Sequence, residues 1–419
     1  MKEISLEKAL VEQVERIGSA DILVGIPSYN NAGTIGHVAR ATQAGLAKYF
    51  PNYKAVLLNS DGGSNDHTMD VVRNTNIESS DTLLITHSSK TFLKIATPYH
   101  GIPGKGSAFR TIFETAKRLN VKACCVVDSD LRSITPEWIE LLLKPVLESH
   151  FDYVAPMYLR HKFDGTITNG IVYPLTRALY GQRIRQPIGG EFGFSGDLAK
   201  FFLKQDVWES DVARFGIDIW MTTTAIANSF KVCQSFLGAK IHDAKDPGVD
   251  LSNMLFQVVD STFELMAQYI PVWHNVSESK PVPTFGFQYA VGLDPVAVNV
   301  DRLIEKFNMG VKDLTPIWKL FLPDDILATL NRMQHASKAD FHFSDEAWVK
   351  TVFNFALAFH KKVIHREHLL KSLTPLYLGR TASFIIEVWD SDAVEVEQRL
   401  EQLCLAFEKE KLNIIDHWS

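Results

Sequence analysis

The chain is poor in the features that mark several common classes of protein. Its 419 residues include only four cysteines, which form neither a CxxC pair nor a metal-ligand spacing. No apolar run approaches the roughly 18 residues that a membrane-spanning helix needs. Residues 1–20 form a charged amphipathic pattern without the apolar core of a signal peptide. These absences predict a reduced, cytoplasmic protein that does not work in a membrane.

An excess of positive charge is also missing. The net charge of −6 and the pI near 6.2 argue against nucleic acid as the main partner. The apolar fraction of 46% is typical of a globular chain, and at roughly 100–200 residues per domain we expect two domains, or one large domain with an appendage. The composition is that of an enzyme, but it names no reaction.

Short apolar runs followed by polar, turn-rich segments dominate the first third of the chain. These runs are residues 21–27, 54–59, 82–86 and 122–127, and helical patterns lie between them. Strands that alternate with helices predict βαβ units and an α/β fold with a mainly parallel sheet. Ligands bind beyond the carboxyl ends of such strands, and that is where the polar segments fall.

After about residue 250 the pattern becomes mostly helical. Apolar residues recur at helical spacing over 346–359, behind a cap at Ser344, and over 396–407, behind a cap at Ser391. We therefore expect an N-terminal helix (1–20), an α/β domain (21–250) and a helical C-terminal region (251–419). The helical region is either a homodimer interface or a cover over one side of the ligand cleft.

The segment Asp128-Ser129-Asp130, at the end of an apolar run, carries a chemical signal. In an extended chain its two aspartates point to the same side, so both can address one cation. Carboxylates suit Mg²⁺ or Mn²⁺, and such ions bridge proteins to substrate phosphates. A solvated turn at the end of a strand is the alternative, and a lone DxD does not decide between them.

Three further polar segments each have a structural alternative. Asp61 suits an ordinary Asp-Gly turn, which is the favoured reading when it is taken alone. Lys105 stands between two glycines and suits an anionic diphosphate, although the segment lacks the P-loop pattern and a surface turn explains it almost as well. Gly189 and Gly190 allow close approach of a ligand, and Glu191 suits a sugar hydroxyl, with a tight buried turn as the equal alternative.

Two more polar residues lie within or directly after apolar stretches. Asp218 lies in an apolar helical pattern, where a carboxylate is costly unless it is paired. It is either a satisfied structural group or a group that faces a cleft. His242 follows the apolar run 232–241, and a single histidine is more often structural than a metal ligand unless an acidic partner lies nearby.

Taken in order, the motifs IPSYNNAGTI, DGGSND, GKG, DSD, QPIGGE, FGID and a late HD resemble those of nucleotide-sugar glycosyltransferases of the GT-A fold. More narrowly, the chain resembles the retaining mannosylglycerate, glucosylglycerate and glucosyl-3-phosphoglycerate synthases. The first two motifs are common to many GT-A enzymes, whereas the set of QPIGGE, FGID and His242 is much more specific to this branch. The resemblance is good over residues 21–250 and weaker over the helical tail.

The resemblance implies a metal-dependent, retaining transfer of glucose or mannose. The donor would be a GDP- or UDP-linked sugar, the acceptor a small hydroxy acid such as D-glycerate, and the cofactor Mg²⁺ or Mn²⁺. The implied nucleotide- and donor-binding residues are Pro27, Tyr29, Asp61, Lys105, Asp128, Gly189 and Gly190. The implied metal ligands are Asp130 and His242, the implied catalytic residues are Glu191 and Asp218, and the implied acceptor-binding residues are Arg160 and Thr168.

The acceptor stays open at this point. The phosphoglycerate enzymes carry an arginine where this chain has Thr166, and bidentate arginine is the usual phosphate clamp. Arg177, Arg183 and Arg185 are other candidates for that role, so 3-phosphoglycerate remains an alternative, as does another polyol or sugar. An inverting polyprenyl-phosphate transferase and a non-catalytic sugar-nucleotide binder are less favoured.

Overall fold

A computed structural model of the chain describes residues 8–75, 93–98, 104–208, 216–241, 251–289, 292–293 and 296–418. These residues fall into two compact units. The first unit comprises the described parts of residues 1–159, 188–244 and 282–292, and the second those of residues 160–187, 245–281 and 293–419. No helix in the described ranges is long and apolar enough to cross a membrane.

The strands of the described residues are β1 (Ile22–Ser28), β2 (Ala55–Asp61), β3 (Leu93–Pro98), β4 (Ala123–Val126), β5 (Tyr153–Leu159), β6 (Gln182–Arg183), β7 (Phe192–Ser195), β8 (Val232–Ala239), β9 (Lys280–Pro281) and β10 (Thr284–Phe285). Eight of them form the sheet of the first unit, in the order β10-β8-β5-β7-β4-β1-β2-β3. Strand β7 runs antiparallel to both of its neighbours, and the other pairs in this sheet are parallel. The predicted mainly parallel α/β fold is therefore confirmed.

The helices are α1 (Lys8–Ile17), α2 (Ile35–Tyr49), α3 (Thr68–Asn74), α4 (Lys105–Arg118), α5 (Pro136–Ser149), α6 (Tyr173–Tyr180), α7 (Gly196–Leu203), α8 (Ile217–Ala227), α9 (Leu251–Gln268), α10 (Ile270–Trp273), α11 (Val300–Trp318), α12 (Asp324–Gln334), α13 (Asp345–His360), α14 (Arg366–Glu387) and α15 (Ala393–Ile415), and a π-helical turn spans Thr168–Val172. Every residue of β1, β2 and β8 is buried, as expected for parallel strands covered on both faces. The C-terminal region is helical, as predicted.

The structure corrects one of the predicted helix caps. Ser344 caps α13 as predicted, because its hydroxyl accepts a hydrogen bond from the backbone of Ala347. The predicted cap at Ser391 is wrong, since Asp392 is the capping residue of α15. Its carboxylate accepts from two backbone N–H groups, and Glu395 completes a capping box. The strand predicted over residues 82–86 lies outside the described residues.

The units differ from the predicted division at residue 250. Residues 160–187 group with the helical unit, where α6 packs against α15 and the Trp348 indole donates to the carbonyl of Gly170 at 2.8 Å. Residues 282–292 group with the first unit, where β10 pairs with β8. A boundary drawn from a change in sequence pattern misses segments that group with the other unit, because periodicity carries no information about long-range pairing.

Candidate active site

The carboxyl ends of β1 and β2 are joined through Asp61. Its Oδ1 accepts from the backbone N–H groups of Gly63 (2.9 Å) and Ser64 (2.7 Å). Its Oδ2 accepts from the hydroxyls of Ser28 (2.8 Å) and Ser64 (2.7 Å). Four hydrogen bonds fill the acceptor capacity of a carboxylate. Asp61 therefore holds the loop after β2 in place, and its contact with a nucleoside stays a prediction.

The loop after β1 is tied to the DSD segment after β4. The Ser129 hydroxyl donates to Asn31 Oδ1 at 2.8 Å, and the Thr34 hydroxyl donates to the carbonyl of Ser129 at 2.8 Å. Pro27 is buried in β1, whereas Tyr29 just beyond it is exposed. Three neighbouring strands thus deliver their loops to one connected edge, where Tyr29 offers an aromatic face to solvent.

Asp128 lies between two lysines. Its Oδ1 is 2.8 Å from Lys105 Nζ, and its Oδ2 is 3.0 Å from Lys240 Nζ. Burial alone would raise the pKa of Asp128, but the attraction of Lys105 and Lys240 outweighs it and holds that pKa well below its usual range. Asp128 is therefore ionised, and each of its oxygens is paired with a lysine.

Asp218, in the first turn of α8, shares Lys105 with Asp128. Its Oδ2 lies 3.1 Å from Lys105 Nζ. Its Oδ1 is buried and has no hydrogen-bond partner among the described residues. Burial raises the pKa of Asp218 in spite of Lys105, and the charge of Asp128 adds to the increase. A buried acceptor without a donor is costly, so Oδ1 is suited to accept a hydrogen bond from a ligand hydroxyl.

Lys240 also holds the turn that precedes β7. Its Nζ lies 2.7 Å from the carbonyl oxygen of Gly189, 2.9 Å from Glu191 Oε1 and 3.0 Å from Glu191 Oε2. The Tyr158 hydroxyl donates to Glu191 Oε2. Burial raises the pKa of Glu191, and Lys240 opposes that increase. The carboxylate is fully enclosed and oriented by a cation and a phenol.

Gly190 is required by the geometry of this turn. Its φ of +95° belongs to the left-handed region, which favours glycine. A Cβ at this position would overlap Asp128 Oδ2 and lie 3.0 Å from Lys240 Nζ. The backbone of the turn therefore packs directly against the Asp128–Lys240 ion pair.

Asp130 is the open carboxylate of this edge. It is half-buried, and its side chain makes no hydrogen bond or ion pair within the part of the chain that the structure describes. The predicted second metal ligand, His242, lies outside the described residues. Its neighbour Ile241 receives a hydrogen bond at 3.0 Å from the backbone of Arg132 and donates one at 2.9 Å to Ser133 Oγ, just after Asp130.

The donor set here suits a hard divalent cation. A free carboxylate provides the oxygen ligand that Mg²⁺ and Mn²⁺ prefer. The described residues alone contain no group of three or more His, Cys, Asp or Glu side chains that could hold a metal. A metal at Asp130 would therefore need His242, a ligand phosphate or water to complete its coordination.

The two predicted acceptor-binding residues lie in the second unit. Arg160 Nη1 is 3.3 Å from Asp164 Oδ2. Thr168 is buried and begins the π-helical turn. Such turns are rare and occur frequently at functional sites. The structure thus groups Lys105, Asp128, Glu191 and Asp218 in one unit and the two predicted acceptor-binding residues in the other.

The arginines considered as phosphate partners are largely engaged within the second unit. Arg177 is fully buried and pairs with Glu401 at 2.7 Å and with Glu408 at 2.7 Å. Arg185 pairs with Glu397 at 2.9 Å. Their guanidinium groups hold α15, so neither is positioned to clamp a phosphate.

Sequence reasoning missed two residues of this cluster. Lys240 directly follows β8, a fully buried strand. A charged residue at the carboxyl end of such a strand marks a candidate ligand-binding residue, so Lys240 could have been found from the sequence. Tyr158 carried no such signal, because a tyrosine in an apolar strand is usual in a core. Only the fold brings its hydroxyl to Glu191.

No family model and no curated protein matches the chain. Among solved structures, it is similar to glucosyl-3-phosphoglycerate synthase from Mycobacterium tuberculosis in complex with Mn²⁺, UDP and phosphoglyceric acid. The sequence identity is 20%, the TM-score is 0.43, and the match covers 61% of this chain and 82% of the other. The same synthase with Mg²⁺ and UDP has 18% identity and a TM-score of 0.43, with 62% and 83% covered.

A structure described only as a mycobacterial protein gives 18% identity and a TM-score of 0.43, with 64% and 80% covered. Synthases of the branch that the motifs resemble are thus among the structural neighbours of this chain. At these values, the activity has to be argued from the residues of the site.

Proposed function

We propose that the chain is a cytoplasmic, metal-dependent glycosyltransferase of the GT-A kind. It would transfer glucose or mannose, with retention, from a nucleoside-diphosphate sugar to the 2-hydroxyl of D-glycerate. The observation that carries the proposal is the cluster of Lys105, Asp128, Lys240 and Glu191 at the carboxyl edge of the sheet, with Asp130 left open beside it.

The charge balance of this edge favours a divalent cation. The two ammonium groups, those of Lys105 and Lys240, are already paired with Asp128, Glu191 and Asp218, and Asp130, two residues from Asp128, is the acidic group that remains for a cation. A diphosphate brings further negative charge, which such a site accepts only with a compensating cation. Mg²⁺ or Mn²⁺ held by Asp130 and His242 would supply Lewis-acid stabilisation of the departing diphosphate.

Lys105 would hold the phosphates of the donor. It is the first residue of α4, and its side chain is 25% exposed. The N-terminus of a helix offers free N–H groups and a positive potential to an anion. Together with the ammonium group, these donors suit the oxygens of a nucleoside diphosphate.

Two carboxylates have separate roles toward the sugar and the acceptor. Glu191, fixed by Lys240 and Tyr158, would hold in place the glycine turn whose backbone lines the pocket of the donor sugar. Asp218, through its unpartnered Oδ1, would orient the acceptor hydroxyl for attack on the anomeric carbon. We assign no covalent nucleophile, and the leaving phosphate oxygen takes up the proton of the acceptor.

An unphosphorylated acceptor is favoured over 3-phosphoglycerate. Arg160 would bind the glycerate carboxylate, and Thr168 would position it. Thr166 is buried, and its hydroxyl lies 2.5 Å from that of Tyr377, so it offers no charge to a phosphate. The arginines paired with α15 do not replace it. The similar solved structures include glucosyl-3-phosphoglycerate synthase in complex with phosphoglyceric acid, and that acceptor is the second candidate.

A homodimer through the helical region is part of the proposal. Val394, Leu405 and Leu412 of α15 are exposed, and their intervals of 11 and 7 residues place them on one face of the helix. Light scattering of the wild type and of a Leu405→Glu variant tests this part. If the wild type is a monomer, the homodimer proposal is refuted, and the proposed activity is unaffected.

A donor–acceptor matrix tests the activity. The purified protein receives GDP- or UDP-linked glucose or mannose, with Mg²⁺ or Mn²⁺, and D-glycerate, 3-phosphoglycerate or no acceptor. We expect release of nucleoside diphosphate that rises sharply with D-glycerate for one donor and stops on addition of a chelator. If the release of nucleoside diphosphate rises with 3-phosphoglycerate and not with D-glycerate, 3-phosphoglycerate is the acceptor.

The metal assignment has its own pair of variants. Asp130→Asn is expected to abolish metal-dependent release, whereas Asp197→Asn, at an exposed position of α7, serves as the control. Nucleotide binding without any release would instead support a non-catalytic sugar-nucleotide binder. Full activity of Asp130→Asn would refute the metal site.

A further inference from the structure

We propose that Lys240 is a positioning residue of the donor-sugar pocket, which holds the Gly189–Glu191 turn in register with Asp128. The proposal rests on the function proposed above, because it takes that turn as the wall of the sugar pocket. It differs from a ligand-binding role, in which the ammonium would contact the phosphates itself.

The contacts of Lys240 join two segments that are far apart in the sequence. Its ammonium lies 3.0 Å from Asp128 Oδ2, after β4, and 2.7 Å from the carbonyl of Gly189, before β7. It also lies within 3.0 Å of both oxygens of Glu191. One cation thus fixes the backbone and the side chain of the turn against the end of a neighbouring strand.

This arrangement needs a cation because two carboxylates approach each other. Gly190 packs so closely on Asp128 that even a Cβ would overlap its carboxylate. Glu191, the next residue, is fully buried. With Lys240 removed, the acidic groups of Asp128 and Glu191 would lie together in a region of low dielectric without a cation, and the turn would lose its anchor and open.

Exposure separates the roles of the two lysines. The side chain of Lys240 is 5% exposed, whereas that of Lys105 is 25% exposed and contacts Asp218 in place of Glu191. The ring of Tyr158 covers the ammonium of Lys240 at 5.5 Å. Lys105 is therefore open to an incoming phosphate, and Lys240 is enclosed by protein groups.

The first test separates binding from turnover. Lys240→Met keeps the length of the side chain and removes its charge. We expect kcat for sugar transfer to fall about 100-fold, the usual penalty for a misplaced reacting group. The affinity for the nucleoside diphosphate with Mg²⁺, measured by calorimetry, should stay within about threefold of the wild type, because the residue makes no contact with it.

Lys105→Met should give the opposite result, because its affinity for the nucleoside diphosphate should fall. Lys411→Met is the matched control, because Lys411 is also buried, in the second unit, and donates to the carbonyl of Val276. It should lower thermal stability and leave both quantities unchanged. Equal loss of nucleotide affinity in Lys240→Met and Lys105→Met, or an unchanged kcat in Lys240→Met, would overturn the proposal.

The second test uses charge removal as a rescue. Breaking a buried ion pair of this kind lowers the melting temperature by about 6–20 °C, and adding Glu191→Gln to Lys240→Met should restore part of that loss. The same addition to Lys105→Met should be additive, since Lys105 contacts Asp128 and Asp218. Additivity in both pairs would contradict the proposal. If Lys240→Met does not fold, its double variant is compared with Glu191→Gln alone in the binding and turnover tests.

A third readout does not depend on activity. Amide hydrogen exchange over residues 186–195 should speed up in Lys240→Met and stay as in the wild type in Lys411→Met. If the wild type transfers no sugar to any acceptor, the proposed function fails, and this exchange still decides whether Lys240 holds the turn. Unchanged exchange in Lys240→Met would overturn the positioning role by itself.

Discussion

The backbone of Gly190 packs directly on the carboxylate of Asp128, so that no side chain fits between them. Gly190, two residues before β7, thereby meets Asp128, two residues after β4, although 62 positions separate them in the sequence. β4 and β7 are antiparallel neighbours, so the end of one lies beside the start of the other. This single contact brings the Asp128 carboxylate, which follows β4, against the glycine turn that precedes β7.

The first prediction follows from this contact. Gly190→Ala should lower transferase activity by about 100-fold or more, because the added Cβ displaces Asp128 and with it the site. The positive φ adds about 1–3 kcal/mol of destabilisation. Activity and melting temperature are measured together on the same preparations.

Gly18→Ala is the control for backbone strain. Gly18 also has a positive φ, of +76°, but a Cβ there would meet no atom within 4 Å. The Gly18→Ala variant should have a lower melting temperature and an unchanged turnover rate. Comparable activity losses in both variants would show that strain, and not the contact with Asp128, is responsible.

The second prediction concerns Asp218 and pH. Its pKa is raised by burial, so between the ordinary carboxyl pKa and the raised value the folded protein binds a proton that the unfolded chain has released. The contribution of Asp218 to stability therefore falls as pH rises through this window. The difference in melting temperature between the wild type and Asp218→Asn should shift in favour of Asn on going from acid to neutral pH.

An opposite slope would mean that Lys105 outweighs burial and that Asp218 has a depressed pKa. Asp152→Asn is a useful comparison, because Asp152 accepts hydrogen bonds from backbone N–H at Lys231 (3.0 Å) and from Ser195 Oγ (3.2 Å) away from the lysine cluster. Its variant should not reproduce the pH-dependent difference.

The parts of the site that are local in sequence were predictable. Asp128 was singled out because a polar group at the end of an apolar run marks the carboxyl edge of a parallel sheet, and Lys105 because it stands between two glycines. The ion pair between them was not, since their distance depends on the strand order. The same limit applies to Tyr158, whose role comes from the pairing of β5 with β7. Periodicity reveals which face is apolar, but not which neighbour covers it.

The third prediction concerns the charge of Lys105. Lys105→Met should weaken binding of the nucleoside diphosphate about 10- to 100-fold, the value of one charge-assisted hydrogen bond. The measurement is calorimetric titration with the nucleotide and Mg²⁺ at several salt concentrations, and the variant should show the shallower salt dependence. Lys122→Met, an exposed lysine paired with Asp21, is the control and should bind as the wild type does.

The last prediction links the acceptor segment to the helical tail. The ammonium of Lys162, two residues after Arg160, donates to the carbonyls of Val388 (2.9 Å), Trp389 (2.5 Å) and Ser391 (2.9 Å), between α14 and α15. The ring of Phe163 stacks on Trp389, with 5.5 Å between centroids. The segment that carries Arg160 is thus anchored to the tail within one unit.

Lys162→Met should therefore raise the KM for D-glycerate by about 10-fold, because loss of this anchor lets the Arg160 segment move. Hydrolysis of the donor without acceptor should stay unchanged, since the residues of the proposed donor site belong to the other unit. Lys371→Met, which removes an exposed ion pair on α14, provides the control. A change in donor hydrolysis would show that the tail acts on the whole enzyme, and an unchanged KM would show that the acceptor segment does not depend on this anchor.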